Sequence, residues 1–214
     1  MRILSFLALL LAFSTAQALA GANPLFSLPL HAVVDGQPTC QISVNCNSVH
    51  PTVNVPPSSQ ITVYLLLYFH CEVAGVQTAF AWNPEWTLIS SSWNCRGNQL
   101  SVVTPHGTGP TDGSIVTAFD CVTGATVRVV GYMNFQTGSS GCLVQVQSAF
   151  PHGIHVVDCA QGIDQIPDSE QGRLGRICVQ AGGVDACVTG PPPPNCDTVP
   201  VEPTTWGQSK GTYN

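Results

Sequence analysis

The sequence has very little positive charge. It contains a single lysine, Lys210, and six lysines and arginines in all against twelve acidic residues, a formal net charge of −6. Binding to nucleic acid or to anionic lipid depends on clustered lysine and arginine side chains. The composition therefore excludes nucleic-acid partners and an electrostatic membrane-binding surface.

Long apolar runs are also lacking, because no stretch approaches the 18 or so consecutive apolar residues that a membrane span needs. The apolar run Ile3–Phe13 follows Arg2 and precedes the small residues Ala18-Leu19-Ala20. This order is typical of a secretory signal peptide over residues 1–20, with cleavage after Ala20 or, as the alternative, after Ala18. We expect a secreted protein, extracellular or on the cell surface, with no membrane contact once the signal is removed.

No pair of cysteines has the C-x2-C spacing of a zinc site, although the chain has ten cysteines, an even number. In an exported chain this count indicates up to five disulfides rather than a metal. Proximity suggests the pairs Cys40–Cys46 and Cys187–Cys196. The partners of the other six cysteines stay open: Cys71, Cys95, Cys121, Cys142, Cys159 and Cys178.

No window shows a clear 3.6-residue apolar stripe, and the best candidate for one short helix is Gln161–Arg173. Short β-type runs bounded by Gly, Pro, Asn or Ser recur instead. They are residues 28–34, 41–44, 61–71, 76–82, 86–90, 99–104, 114–120, 126–135, 142–148, 154–157 and 174–179. This pattern predicts an all-β, disulfide-stapled sandwich of about ten strands, immunoglobulin-like or jelly-roll.

The run at residues 61–71 is the strongest strand. Val63, Leu65, Leu67 and Phe69 form one face, and the other face is also apolar or aromatic, which favours a central position in a sheet. The predicted domain organisation is an N-terminal strand at 21–37, a sandwich at 38–190, and a Pro-rich linker and tail at 191–214. We expect a disordered tail, with docking or an export signal at Trp206 as the alternative.

No catalytic arrangement stands out. His152 and His155 would point to opposite faces of a strand, and Gly138–Gly141 lacks the spacing of a nucleophile elbow, so we interpret it as a hairpin loop. Cys71, beside His70, is expected to be oxidised. We expect no enzyme, no cofactor and no metal; a glycosidase pair of Glu72 and Glu85, and a surface calcium site at Asp164, Asp168 and Glu170, are the weaker alternatives.

Trp82, Trp86 and Trp93 cluster in one region of the chain. Such a cluster can form a platform on which sugars stack, or it can pack in the core next to a Cys95 bridge. We favour core packing.

Residues 61–88 resemble the early strands of cohesin-like modules. The likeness is carried by the strand residues 63–67, the A-G-V-Q of residues 74–77, and Asn83-Pro84-Glu85-Trp86. It implies a secreted jelly-roll sandwich. The wider chain, including the tail at residues 204–210, resembles cysteine-rich secreted bacterial proteins of unassigned function. The N-terminal strand is similar to that of donor-strand-exchange pilus subunits.

Two functional interpretations follow. In the leading one the protein is a non-catalytic subunit of a surface fibre or pilus-like filament, a homopolymer in which one subunit's N-terminal strand completes the next sandwich. The candidate donor residues are Leu28, Leu30, Ala32 and Val34. The alternatives are that the same segment is the first strand of its own sandwich, or that the protein is a monomeric cohesin-like adhesion module binding a glycan or a protein.

Overall fold

A computed structural model describes residues 21–40, 42, 53–93, 95, 100–103, 115–124, 126–146, 148–149, 152–167 and 173–182. The predicted signal peptide, the tail and the suggested pair Cys187–Cys196 lie outside these residues, as does nearly all of the strand predicted at 41–44. None of the helices in the described ranges is long and apolar enough to span a bilayer.

The described residues form fourteen strands. They are β1 (Leu30–Val34), β2 (Val53–Val55), β3 (Gln60–Phe69), β4 (Glu72–Trp82), β5 (Thr87–Ser92), β6 (Leu100–Val103), β7 (Ile115–Thr123), β8 (Thr126–Gln136), β9 (Cys142–Val146), β10 (Ser148–Ala149), β11 (His152–Gly153), β12 (His155–Val157), β13 (Ile163–Gln165) and β14 (Arg176–Val179).

The strands form two main sheets that pack face to face. The smaller sheet has the order β1-β3-β8-β5, and the larger has the order β13-β12-β4-β9-β14-β2, with β7 also paired to β4 and β6 paired to β7. Strands β10 and β11 form a separate small ladder. The predicted all-β sandwich is confirmed.

Strand β3 lies between β1 and β8, so the predicted central position is correct. Its side chains alternate between two apolar clusters. The main core between the sheets takes Val63, Leu65, Leu67 and Phe69. The outer face carries Tyr64 and Leu66, which are also buried.

The outer face of β3 is covered by the chain that follows β1. Ile42 packs on the cluster of Tyr64 and Leu66, and a disulfide joins Cys40 to Cys95, with a Cα–Cα distance of 5.0 Å. The suggested pair Cys40–Cys46 is therefore wrong, because the fold brings Cys40 to a residue 55 positions away. This cover explains why both faces of β3 are apolar.

Two further disulfides join described residues. Cys142 and Cys178 lie directly opposite each other on β9 and β14, and Cys121 on β7 is bonded to Cys159 after β12. Cys71 is disulfide-bonded as well, as expected from the sequence. The interpretation of the cysteines as structural staples is confirmed at these positions.

The helix expected at Gln161–Arg173 is wrong in its first part, where residues 163–165 form β13. Asp164 is buried there while its two neighbours are exposed, which is the period-2 pattern of a strand. The run was too short for this alternation to be recognised, because β13 pairs with β12 over only three residues.

Two loop predictions also need correction. The sequence predicts a loop from the end of the strand at 41–44 up to Ser59, but this segment contains β2, which pairs in parallel with the distant β14. Residues 138–141 do not close a hairpin, since β8 belongs to the smaller sheet and β9 to the larger one. Both errors concern partners that are remote along the chain, which local patterns do not reveal.

We expect the double substitution Cys40→Ser with Cys95→Ser to loosen the cover over Tyr64. Burial, as the main cause, raises the pKa of the Tyr64 phenol above its usual value. Losing this disulfide should lower stability by about 2–4 kcal/mol, and the pKa of Tyr64 should fall towards the ordinary value. Thermal melting and an NMR titration of the tyrosine rings measure the two effects. An unchanged Tyr64 titration would show that the cover holds without its disulfide.

Candidate functional site

A groove lies on the outer face of the larger sheet. Its volume is about 430 Å³, and strands β4, β7, β12 and β13 contribute its walls. Val116 and Ile163 line it and are 37% and 43% exposed. The outer face of a sheet is normally polar, so exposed branched side chains around a concavity mark this face as unusual.

The strand register builds the groove in two rows. In one row Gly75 lies between Ala118 and Val157; in the next, Gln77 lies between Val116 and His155. Residues directly opposite each other on paired strands point to the same face. Gly75 and Ala118, the small residues of the first row, form the floor of the groove.

Gly75 keeps the floor low. A Cβ atom at this position would lie 3.2 Å from the Thr117 carbonyl oxygen and 3.8 Å from the Val157 Cβ. Any side chain here would therefore fill the space between β7 and β12. The floor depends on the absence of a side chain at residue 75.

The polar residues that line the groove include two amides, one imidazole and one carboxylate: Gln77, Gln161, His155 and Asp158. The Asp158 carboxylate accepts hydrogen bonds from the backbone N–H groups of Ala160, Gly162 and Ala22 at 2.9, 2.6 and 3.0 Å. The oxygens of this carboxylate therefore hold backbone segments of the protein in place. The groove is thus suited to binding an apolar group with a few polar contacts.

The disulfide Cys121–Cys159 borders the groove, since Cys159 also lines it. The Glu72 carboxylate and the two sulfur atoms lie within 4.8 Å of one another, close enough for three metal ligands. Sulfur binds metals as a thiolate. Because both sulfurs are oxidised here, this cluster is a covalent staple beside a carboxylate.

The N-terminal segment of the described chain, residues 21–34, forms what we call the N-terminal anchor. Ser27 exchanges two backbone hydrogen bonds with Tyr68 of the smaller sheet, at 3.1 and 2.9 Å. Leu28 does the same with residues before β14: its N–H donates to the Arg173 carbonyl, and its carbonyl accepts from Gly175, at 3.0 and 3.1 Å. The anchor is therefore hydrogen-bonded to both sheets at adjacent residues.

Arg173 fixes the anchor through its guanidinium group. The group donates to the carbonyl oxygens of Phe26, at 2.8 Å, and Pro24, at 2.9 Å. It also lies 5.2 Å from the centroid of the Phe26 ring, within the range of a cation–π contact. A buried cation satisfied by backbone carbonyls holds the turn that precedes Ser27.

Asn23 fixes the anchor to the β3–β4 turn. Its side-chain oxygen accepts hydrogen bonds from the backbone N–H groups of His70 and Cys71, at 3.3 and 3.1 Å, and its amide nitrogen donates to the Glu72 carbonyl. One side chain thus satisfies three backbone groups.

The four candidate donor residues lie in the protein's own sandwich. Leu28, Leu30 and Ala32 are buried in the main core, and Val34 packs against it. From residue 30 onward the segment is β1, antiparallel to β3, with Leu30 opposite Leu65 and Ala32 opposite Val63. The structure therefore shows the segment as a strand of its own sheet, and a role in assembly stays a prediction.

The tryptophan cluster belongs to the core, as favoured from the sequence. Trp86 and Trp93 are buried, and the half-buried Trp82 packs edge-on against Phe135. The Trp86 indole N–H donates to the Ser140 carbonyl at 2.9 Å. These rings leave no open platform for a sugar.

The two histidines of the predicted cluster lie on different strands, and of the predicted acidic cluster the structure describes only Asp164. His155 lines the groove, whereas His152 lies on another strand, β11. Asp164 is buried next to Asp158, and residues 168 and 170 lie outside the described residues. Burial, and then the charge of Asp158, raise the pKa of Asp164; hydrogen bonds from the backbone of Asn23 and Gly21, and the charge of Arg173, oppose the rise.

The sequence did not reveal the groove or the anchor contacts. Val116 and Ala118 alternate with more buried neighbours on β7, which is a weak signal of an outward apolar face. Their proximity to Ile163 depends on the pairing of four strands that are distant along the chain. Neither Arg173 nor Asn23 belongs to a sequence motif that indicates its contacts in the fold.

No family model matches the sequence, and no curated protein matches it. Solved structures similar to the chain include a non-cellulosomal cohesin from Archaeoglobus fulgidus, 12% identical with a TM-score of 0.45 over 61% of this chain and 88% of that one. A cohesin module of a Clostridium perfringens family 33 glycoside hydrolase is 11% identical, with a TM-score of 0.44 over 72% and 97%. A type II cohesin of Acetivibrio cellulolyticus is 10% identical, with a TM-score of 0.45 over 65% and 89%.

These neighbours are cohesin modules, the family that residues 61–88 resemble.

We expect Gly175→Ala to dislodge the N-terminal anchor. A Cβ at residue 175 would lie 2.2 Å from the Leu30 backbone nitrogen, which cannot move without breaking β1. Gly182→Ala is the control, because its Cβ would meet no atom and its positive φ alone should cost about 1 kcal/mol. Gly175→Ala should cost at least about 2 kcal/mol more in chemical denaturation. Equal losses in the two variants would contradict the close contact between anchor and body.

Proposed function

We propose that the mature protein is a secreted, non-catalytic β-sandwich module that binds another extracellular protein through the groove on its larger sheet. The observation that carries the proposal is the concavity over Gly75 and Ala118, bordered by the exposed Val116 and Ile163. Apolar surface of this kind is costly to leave in water, and a partner's side chain would cover it.

A protein is a better occupant of the groove than a sugar. Sugar sites commonly use flat aromatic faces, and the three central tryptophans are used by the core. The groove instead offers small and branched aliphatic surfaces beside the amide of Gln77 and the imidazole of His155. These surfaces fit a Leu, Ile, Val or Met side chain of a partner.

The structural chemistry supports an extracellular address and a binding role. Disulfides persist in oxidising compartments, and the described residues include three that join distant parts of the chain. In the groove itself the carboxylate and the neighbouring cysteine sulfur are used by the fold. What remains is a surface for contact rather than for group transfer.

We expect Val116→Asp to weaken partner binding while the protein stays folded. Peptides selected on the oxidised wild-type protein from a random displayed library supply the probe. Losing one apolar contact of about 1.5–3 kcal/mol should weaken their binding by about 10- to 100-fold. Isothermal titration calorimetry measures the affinities, and NMR shifts at Gly75 and Ala118 locate the peptide.

The matched control is Val127→Asp. Val127 is 39% exposed, close to the 37% of Val116, and lies on β8 of the smaller sheet. This control should bind the peptides as the wild type does. If the wild type selects no peptides, or if both variants bind equally well, the groove is not the binding surface.

A second candidate function is the fibre subunit that polymerises by strand insertion. One observation favours it: the anchor fills a slot between the two sheets and satisfies backbone groups on both. The same segment of a neighbouring subunit could fill that slot with the same contacts, which is the chemistry of strand exchange. The subunits would then form a homopolymer hardened by disulfides.

We expect strand exchange, if it occurs, to give filaments from the wild type and none from Leu30→Asp. Leu30 is buried in the slot, and an unpaired buried carboxylate costs several kcal/mol. Leu25→Asp is the control in the same segment, because Leu25 is 46% exposed, and it should assemble normally. Electron microscopy of the oxidised proteins gives the result. Monodisperse wild-type particles at all concentrations would exclude the fibre.

A further inference from the structure

The first residues after the predicted cleavage site are held by two buried carboxylates. The backbone N–H of Asn23 donates to Asp164 at 2.6 Å, and the N–H of Ala22 donates to Asp158 at 3.0 Å. Gly21 lies next to Asp164 as well, and a hydrogen bond from its backbone is one of the causes that oppose the rise in the Asp164 pKa. Three successive residues thus lie against one pair of acids.

Gly21 fits closely against Asp164. A Cβ at residue 21 would lie 2.2 Å from Oδ2 and 2.5 Å from the carboxyl carbon of Asp164. A residue with a side chain could take this place only if the Asp164 carboxylate moved away from its hydrogen bonds. The contact therefore requires glycine at the residue that follows Ala20.

Both acidic side chains are buried, and among the residues that the structure describes, Arg173 is the cation that lowers the pKa of Asp164. The guanidinium of Arg173 already donates to the carbonyls of Phe26 and Pro24. In the uncleaved chain Gly21 contributes only a neutral amide N–H.

We propose that leader removal between Ala20 and Gly21 creates an α-ammonium group that forms an ion pair with Asp164, beside Asp158, and thereby locks the N-terminal anchor. Export supplies the peptidase. Water breaks the Ala20–Gly21 peptide bond, the leader leaves with the new carboxylate, and the Gly21 nitrogen takes up protons to become a cation. The charge appears where the structure already places that nitrogen.

This pairing couples folding to processing. Before cleavage the buried Asp164 charge is poorly compensated, which disfavours the docked anchor. After cleavage an opposite charge and additional N–H donors arrive at the same place. Cleavage therefore stabilises the docked anchor, and with it β1, once the protein has been exported.

The test uses the full precursor expressed in a host that exports it, with the mature N-terminus read by intact mass. The mature chain then has two amines, the Gly21 α-amine and Lys210. A free α-amine has an ordinary pKa of about 7.7–8.0 and is acetylated readily at neutral pH. We expect the Gly21 amine to be acetylated at least about 10-fold more slowly in the native protein than in the denatured protein, which is the reference.

Two variants should restore ordinary reactivity. Asp164→Asn removes the charge but keeps a hydrogen-bond acceptor. Insertion of one serine between Ala20 and Gly21 keeps the cleavage motif but moves the ammonium by one residue. Asp35→Asn is the matched control, because Asp35 is exposed and asparagine tolerates its positive φ of 53°. The control should protect the amine as the wild type does.

Thermal melting separates the ion pair from a purely structural role of Asp164. Asp164→Asn should lower the melting midpoint of the mature protein by about 5–10 °C. In the serine-extended protein the same substitution should have little effect, because the ammonium is already displaced. Equal losses in both backgrounds, equal acetylation in all variants, or a mature chain that begins at Leu19 would overturn the proposal.

Discussion

The sandwich depends on the hydrogen bonding of one short segment to both of its sheets. Ser27 pairs with the smaller sheet and Leu28 with the larger, so the chain crosses the gap between the layers within two residues. Apolar side chains follow on the inward face, from Phe26 to Ala32. Removing the segment would leave unpaired backbone groups on both sheets and a cleft in the core, and both are costly to expose.

The outer faces of the two sheets differ, and a disulfide lies at each of them. On the smaller sheet, the bond Cys40–Cys95 holds a loop over the outer apolar residues of β3. On the larger sheet, Cys121–Cys159 borders the groove, which is lined by exposed apolar residues. One face therefore becomes a second, small core, while the other remains a surface that can receive a partner. The two outer faces thus differ in that the disulfide on the smaller sheet holds a covering loop, whereas the disulfide on the larger sheet lies beside the groove.

Local patterns in the sequence predicted most strands, because alternation in β3 and the turn residues between strands act over a few neighbours. The same patterns missed β2 and β13 and misread residues 138–141, since each of these depends on a remote partner strand. The even cysteine count predicted that disulfides exist, but proximity along the chain gave Cys40 the wrong partner. The groove was missed for the same reason, because Gly75, Val116 and Ile163 come together only through the pairing of four strands.

The geometry of the anchor also bears on the choice between a binding module and a fibre. A terminal segment tethered to its own slot has an effective concentration on the order of millimolar. A neighbouring subunit at micromolar concentration competes at a disadvantage of about 10³-fold, or about 4 kcal/mol. Contacts that are identical in cis and in trans cannot offset this difference, whether they come from Leu30, from Arg173 or from a charged Gly21. Exchange would need crowding at the site of export or a new contact between subunits. At such concentrations the strand is therefore expected to stay in its own sandwich, where the structure shows it paired with β3.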